Sequence, residues 1–320
     1  MKFRVLCTAP FNRYPEVVKY FHTKFDGEIV EYMHYEDLVD KIHQFNGLIP
    51  NARISVSTEV IENASKLKAI YQPSMGFEHI DAETLRTKKI KFNALGIDDF
   101  RYSLWSTAEH ALSLLIMLMK ESFKSVDNVR SHGSWDNRPY RIKDFHEITV
   151  GVIGYGNIGS KFAKLCTNLG AKVIVYDPYL KDENFPKIVK RLDLEKVLRK
   201  SDFISLHVPL NQETKDLIGK DELNLMKNNA CIINTSRGGV INENELLTVL
   251  QKKSIYGAAL DVLENESPFG VENHPLVKYA STNNNLIITP HLGGSSFSYM
   301  EKIFKHSIDQ IEVMLKESSK

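Results

Sequence analysis

The chain is predicted to be an α/β protein built from two doubly wound parallel-sheet domains. Short apolar runs alternate with amphipathic helical spacing near the N-terminus, and a stronger series of six such runs follows a polar, aromatic connector. At 320 residues the chain is also longer than one ordinary core organises, which favours two domains.

The first series comprises FRVLC (3–7), GLIP (47–50), LKAIY (67–71) and KIKFN (89–93), each separated by helical patterning. Next comes SLWSTAEHALSLLIMLMK, where Ser106 followed by Glu109 predicts a capping box at the head of a long apolar helix. That helix is read as core or subunit interface, and it predicts a homodimer. After the connector SHGSWDNRPYRIKDFHE (131–147), the strand candidates are ITVGVIG, KVIVYD, DFISLHV, ACIINT, IYGAALDV and NLIITP. The tail from Ser295 places Phe297, Met300, Ile303, Phe304, Ile308, Ile311 and Leu315 at helical spacing and reads as a closing amphipathic helix.

Composition narrows the function classes. Lys plus Arg (41) nearly balance Asp plus Glu (40), so the formal charge of +1 provides no broad field for nucleic acid or a membrane surface. Cys7, Cys166 and Cys231 have neither disulfide nor metal-ligand spacing, so no metal is expected and a cytoplasmic setting fits. The N-terminus lacks a signal-peptide pattern, and no apolar stretch is long enough to span a bilayer.

The second series opens on a dinucleotide signature. ITVGVIGYGNIG (148–159) runs a strand pattern into Gly154-x-Gly156-x-x-Gly159 and out into a helical segment. Gly154 permits the turn, Gly156 admits a pyrophosphate against bare backbone, and Gly159 lets helix and strand approach. Amides of the following helix, beginning at Asn157 and Ile158, then face the phosphates. Asp177 ends the next strand, where a carboxylate can accept from both ribose hydroxyls and repel a 2'-phosphate; NAD is therefore predicted over NADP. The alternative is that Asp177 only opens the Asp177-Pro178 turn. His207 and Pro209 end a third strand at the same carboxyl edge, near the expected nicotinamide position.

Four ordered blocks, VGVIGYGNIGSKFAK, SLHVPLNQETKDLIGKDELNLMKNNACIINTSRGGVINENELLTVL, GAALDVLENESP and ITPHLGGSS, resemble the signature blocks of the D-isomer-specific 2-hydroxyacid dehydrogenases. The resemblance covers residues 45–315 and implies a Rossmann NAD domain (104–289) inserted in a flavodoxin-like substrate domain (1–103, with 290–320 returning to it), the active site lying in the cleft. It also implies NAD-dependent, D-specific hydride transfer to a small 2-oxo acid. Arg237 matches the family's carboxylate-binding residue, suited by its planar fork. His291 matches the acid/base, and Glu266 the carboxylate that pairs with it, which should favour a protonated ring. Glu266 also separates the chain from formate dehydrogenase relatives, which carry Gln there. Thr235, Asp261 and Gly293 match positions near the coenzyme. PSMGFEHID (73–81) resembles the substrate loop, with Met75 and Gly76 as ligands and Ser74 in place of its first glycine; Arg53 matches a position that faces substrate in some relatives.

The chain departs from the pattern in IDDFRYSLW (97–105), which is longer than usual, in Leu95 for a common Pro, and in Ser267 before Pro268. No C-terminal regulatory module is expected. The rival reading is an NADH-responsive binding protein resembling the C-terminal-binding corepressors, with the same fold and acting through partner contacts.

Overall fold

In a computed structural model, residues 2–31, 33–51, 53–180, 189–266 and 271–318 are described. They form two compact units, Met1–Leu104 with Ser296–Lys320, and Trp105–Ser295. Among the described residues both sheets are wholly parallel.

The first unit carries β1 (Arg4–Cys7), β2 (Asp26–Ile29), β3 (Gly47–Ile49), β4 (Ala69–Gln72) and β5 (Lys91–Ala94), in the order β2-β1-β3-β4-β5. Strands β3 and β4 are buried throughout, as expected where helices cover both faces. Period-two alternation divides the core. Val5, Cys7 and Tyr71 face a cluster with Phe11, Phe21, Phe304, Ile308 and Ile311, whereas Leu6 and Ile70 face Leu38, Phe45, Val60 and Leu85. The helix Phe297–Glu317 closes the first of these faces, its Phe304 ring 4.6 Å from that of Phe11. A Cβ on Gly47 would stand 3.0 Å from Ile311, so glycine lets this helix settle onto the sheet.

The second unit carries β6 (Thr149–Ile153), β7 (Lys172–Tyr176), β8 (Lys190–Arg191), β9 (Phe203–Leu206), β10 (Cys231–Asn234), β11 (Gly257–Leu260) and β12 (Leu286–Ile288). Their order, β12-β11-β10-β9-β6-β7-β8, reverses direction at β6/β9, the switch point where doubly wound sheets bind nucleotides. The helices Ser106–Met119 and Asn157–Asn168 pack Leu114, Leu115, Phe162 and Cys166 onto Val150, Val152 and Ile233.

Several elements differ from expectation. Strand β2 (DGEI) is a partly exposed edge with little apolar content, and β8 has two residues, so neither carries a readable period. The capping box at Ser106 does not form. Ser106 is the first helical residue, and its predecessor Trp105 occupies the cap without a side-chain bond. The apolar helix stops at Met119, and Glu121 at φ 47° starts a second helix, Ser122–His132, which fills the stretch before the connector and takes its first two residues. Glu121 is held there by Tyr256 Oη (2.5 Å), the Arg141 amide (2.6 Å) and Lys124 Nζ (3.0 Å). Residues 290–295, expected with the substrate domain, pack in the second unit because Asp261 binds their backbone. Of the departures noted above, Ser267 and Pro268 lie outside the described residues, while 99–103 form a 3-10 turn tied down by Asp98, which accepts from His306 (2.7 Å) and Tyr71 (3.2 Å).

Candidate active site

The carboxyl edge of the second sheet brings together most of the residues singled out from sequence. Gly154 adopts φ +88°, and a Cβ there would stand 2.7 Å from the His207 carbonyl. Gly159 is more constrained still: its Cβ would lie 1.9 Å from the Gly154 carbonyl, so the first turn of helix Asn157–Asn168 has room only for glycine at this position. Open space surrounds the missing Cβ of Gly156, which caps that helix without a side chain. First-turn amides lack intrahelical acceptors, so this end favours an anion.

Around the loop the coenzyme candidates are set as follows. The carboxylate of Asp177 is 8% exposed and accepts from the amides of Tyr155 (2.8 Å), Tyr179 (2.9 Å) and Leu180 (3.2 Å). It thus builds the turn and braces the glycine loop. Tyr176 and Pro178, on either side of it, line a cavity of about 510 Å³ with Arg191, Leu192, Asp193 and Lys196. His207 packs on Phe162 and bonds Ser205 Oγ at 2.9 Å; burial pushes its imidazole down to about 3. Pro209 is exposed. Thr235 Oγ1 is buried with no hydrogen-bond partner among the described residues. A buried hydroxyl is costly when unpaired, so this atom fits a site completed by a ligand. The glycine cradle, the bare helix end and Thr235 together fit a dinucleotide.

The catalytic candidates stand on three loops after β10, β11 and β12. Arg237 follows β10; Asn234 anchors the turn by donating to the Arg237 carbonyl (2.9 Å), and the guanidinium donates to the Ser236 carbonyl (2.8 Å). Gly238 must be glycine, because a Cβ would reach within 2.0 Å of the Leu263 backbone. That contact presses the Arg237 loop against the loop carrying Glu266. His291 Nδ1 is hydrogen bonded to Glu266 Oε1, whose second oxygen accepts the Leu263 amide at 3.2 Å. Burial works to raise the Glu266 carboxyl, but His291, the Leu263 amide and the nearby Arg237 charge outweigh it and hold it below the usual carboxylate range.

His291 sits at φ 55°, a left-handed backbone uncommon outside glycine and asparagine. Asp261 secures it. Its carboxylate, 1% exposed, accepts from Thr289 Oγ1 (2.5 Å) and the amides of Leu292 (2.8 Å) and Gly293 (2.7 Å), while its carbonyl takes the His291 amide (2.9 Å). His110 Nε2 lies 3.0 Å from Asp261 Oδ1. Burial opposes the Asp261 charge, but these donors, His110 first, keep the carboxyl below its ordinary range. Sequence reading passed over His110; its one signal was a titratable residue within an apolar helix.

Within the first unit, the substrate-loop candidates lie just after β4. Ser74 accepts from Gln72 Nε2 (2.6 Å) and donates to the Gly76 carbonyl (2.8 Å), so the hydroxyl that replaces glycine is spent on shaping the loop. Met75 is exposed, and its carbonyl would clash at 2.1 Å with any Cβ on Gly96. The Arg53 side chain is exposed, and its amide donates to Asn51 Oδ1 at 3.0 Å.

Comparison with known proteins decides the family. The NAD binding domain of the D-isomer specific 2-hydroxyacid dehydrogenases matches residues 112–293. Hydroxypyruvate reductase from Thermotoga maritima is 30% identical over 99% of this chain and 98% of its own. The chain belongs to the D-isomer specific 2-hydroxyacid dehydrogenases. D-3-phosphoglycerate dehydrogenase from Methanocaldococcus jannaschii is 32% identical over 92% of this chain, which spans only 54% of that relative. The crystal structure of D-lactate dehydrogenase from Aquifex aeolicus, complexed with NAD and lactic acid, superposes with TM-score 0.83 at 25% identity, covering 98% of this chain and 96% of that one. Members of this family are NAD-dependent oxidoreductases, and the two doubly wound sheets described above are their fold. Among the described residues of this 2-hydroxyacid dehydrogenase no helix is long and apolar enough to cross a membrane.

Proposed function

We propose that this family member is a reversible NAD-dependent D-2-hydroxyacid dehydrogenase acting on a small 2-oxo acid. The observation that carries the reading is the His291–Glu266 pair, with Arg237 close enough to lower the Glu266 carboxyl. Bound NADH supplies the hydride that reduces the carbonyl carbon. Arg237 grips the substrate carboxylate through two parallel N–H bonds and so fixes the carbonyl in position. Because Nδ1 of His291 is committed to Glu266, Nε2 is the ring nitrogen that gives a proton to the developing alkoxide and takes it back in the reverse direction. Met75 and Gly76 contribute backbone amides to the acid, and Arg53 is a further substrate contact.

Gly154, Gly156, Asn157, Ile158 and Gly159 hold the pyrophosphate; Asp177 receives the ribose hydroxyls, with the neighbouring cavity taking the adenine. His207, Pro209, Thr235, Asp261 and Gly293 surround the nicotinamide end. Oxygens of Asp177 retain lone pairs beyond their backbone bonds, and a 2'-phosphate would meet this carboxylate, so NAD is preferred over NADP. The three buried free thiols support a cytoplasmic setting.

A homodimer completes the proposal. Helix Ser122–His132 buries none of its residues and leaves Phe123, Val126 and Val129 exposed, as are Ile142 and Trp135, the last at 93%.

The test is NADH and NADPH oxidation at 340 nm with glyoxylate, hydroxypyruvate, pyruvate, 2-oxoisocaproate and 3-phosphohydroxypyruvate. Turnover of at least one acid, faster with NADH and abolished by His291→Asn without loss of NADH affinity, is expected. Asn is the apt replacement because it tolerates the left-handed backbone of this position. Tight NADH binding with no turnover of any acid would instead support the corepressor-like binding protein.

A further inference from the structure

A buried carboxylate persists only where donors surround it. Around Asp261, three of the donors to the carboxylate come from the loop Thr289–Gly293, the same stretch that carries His291. One comes from elsewhere in the chain: His110 Nε2, on helix Ser106–Met119, lies 3.0 Å from Asp261 Oδ1 and 3.0 Å from Thr289 Oγ1. The Thr289 hydroxyl gives its own proton to Asp261, so both oxygens accept from the imidazole N–H. Close packing reinforces the junction, since a Cβ on Gly293 would stand 3.0 Å from the Asp261 carboxylate and 3.2 Å from the Thr107 methyl. Its neighbour His291 holds a left-handed backbone, which a non-glycine residue keeps only when its surroundings impose it.

We propose that His110 is a positioning residue for the reaction: by completing the donor set of Asp261 and Thr289 it locks the loop that aims His291. The inference rests on the reading of His291 as acid/base. His110 reaches neither member of the His291–Glu266 pair in the structure; it acts through Asp261. Without its N–H, Asp261 is one donor short, the loop loses its hydrogen-bonded tie to the helix and keeps only the Gly293–Thr107 packing, and the His291 ring strays from proton-transfer distance. Arg237 is carried by a different loop, so its hold on the substrate carboxylate survives. The loss therefore falls on kcat and spares KM.

Steady-state reduction of glyoxylate and hydroxypyruvate by NADH should compare the parent with His110→Phe, His110→Gln and His291→Asn, alongside NADH titration by fluorescence and thermal melting. His110→Phe is expected to lower kcat by about 30-fold, with KM for the oxo acid within about 2-fold of the parent. His110→Gln, whose amide N–H can replace Nε2–H, should recover kcat to within about 5-fold of the parent. A kcat for His110→Phe within about 2-fold of the parent, or a Gln variant no better than Phe, overturns the positioning role. Parental turnover by His291→Asn would overturn the acid/base reading and this proposal with it, whereas an inactive His291→Asn beside a fully active His110→Phe overturns the positioning role alone.

Discussion

Arg237 and His207 show how differently two polar side chains at one sheet edge act. The Arg237 guanidinium offers two parallel donors to a carboxylate, whereas a lysine ammonium offers a point charge. Arg237→Lys should therefore lower kcat/KM for the accepted oxo acid by about 100-fold, equivalent to about 2.7 kcal/mol, while leaving the NADH Kd nearly unchanged. Steady-state kinetics and NADH fluorescence check this; a change below about 3-fold would remove Arg237 from carboxylate binding. His207, besides its proposed place at the nicotinamide end, bears on stability. Its folded imidazole is pushed down to about 3 from 6.5, so the unfolded chain takes up the proton first. The contribution is fully present above the unfolded value and is lost as pH falls from 6.5 toward 3. Between pH 6.5 and roughly 5 the loss should reach at most about 2 kcal/mol, less where residual exposure eases the desolvation. Urea unfolding across that window should give a steeper decline for the parent than for His207→Gln.

Helix Asn157–Asn168 shows how a local motif and a distant contact meet in one element. Its amphipathic pattern seats Phe162, Ala163 and Cys166 in the core, but its starting point is set by Gly159 against the Gly154 carbonyl. Gly159→Ala would raise intrinsic helix propensity by up to about 1 kcal/mol, yet a methyl 1.9 Å from a backbone oxygen must push the helix away. A lower melting temperature and a weakening of NADH binding by at least about 10-fold are expected together. An unchanged NADH Kd would show that the helix does not present its amides to the pyrophosphate. Helix Ser106–Met119 teaches the reverse lesson: its apolar content was plain from sequence, but neither its uncapped start at Trp105 nor the break at Glu121 was. The break depends on Tyr256, which is 135 residues away.

For the protein as a whole, the exposed apolar side chains Phe123, Val126 and Val129 of helix Ser122–His132, with exposed Trp135 and Ile142 in the segment after it, predict a dimer of the 36.6 kDa chain. Sedimentation equilibrium should return twice that mass, and Val126→Glu with Val129→Glu should return the monomer, since two buried unpaired carboxylates are not tolerated in an apolar interface. A parent that sediments as a monomer at micromolar concentration would remove the dimer. Both sheets were legible in outline because parallel strands buried on two faces must be written as continuous apolar runs. The polar edge strand β2 and the two-residue β8 were not, since neither buries enough apolar surface to leave a pattern.

The glycine motif could be read from the chain because each of its requirements is steric and local: a positive φ at Gly154 and a missing Cβ at Gly159 are properties of residues five apart. Arg237, Glu266 and His291 were legible through ordered resemblance, which marked each one without showing why they meet. Their meeting depends on Gly238 against the Leu263 backbone and on Asp261 reaching the loop after β12. His110 lay beyond any such reading, for its partner Asp261 is 151 positions distant. Linear patterning records what a residue needs from its near neighbours and from burial; which distant donor satisfies a buried charge is settled only when packing brings the two together.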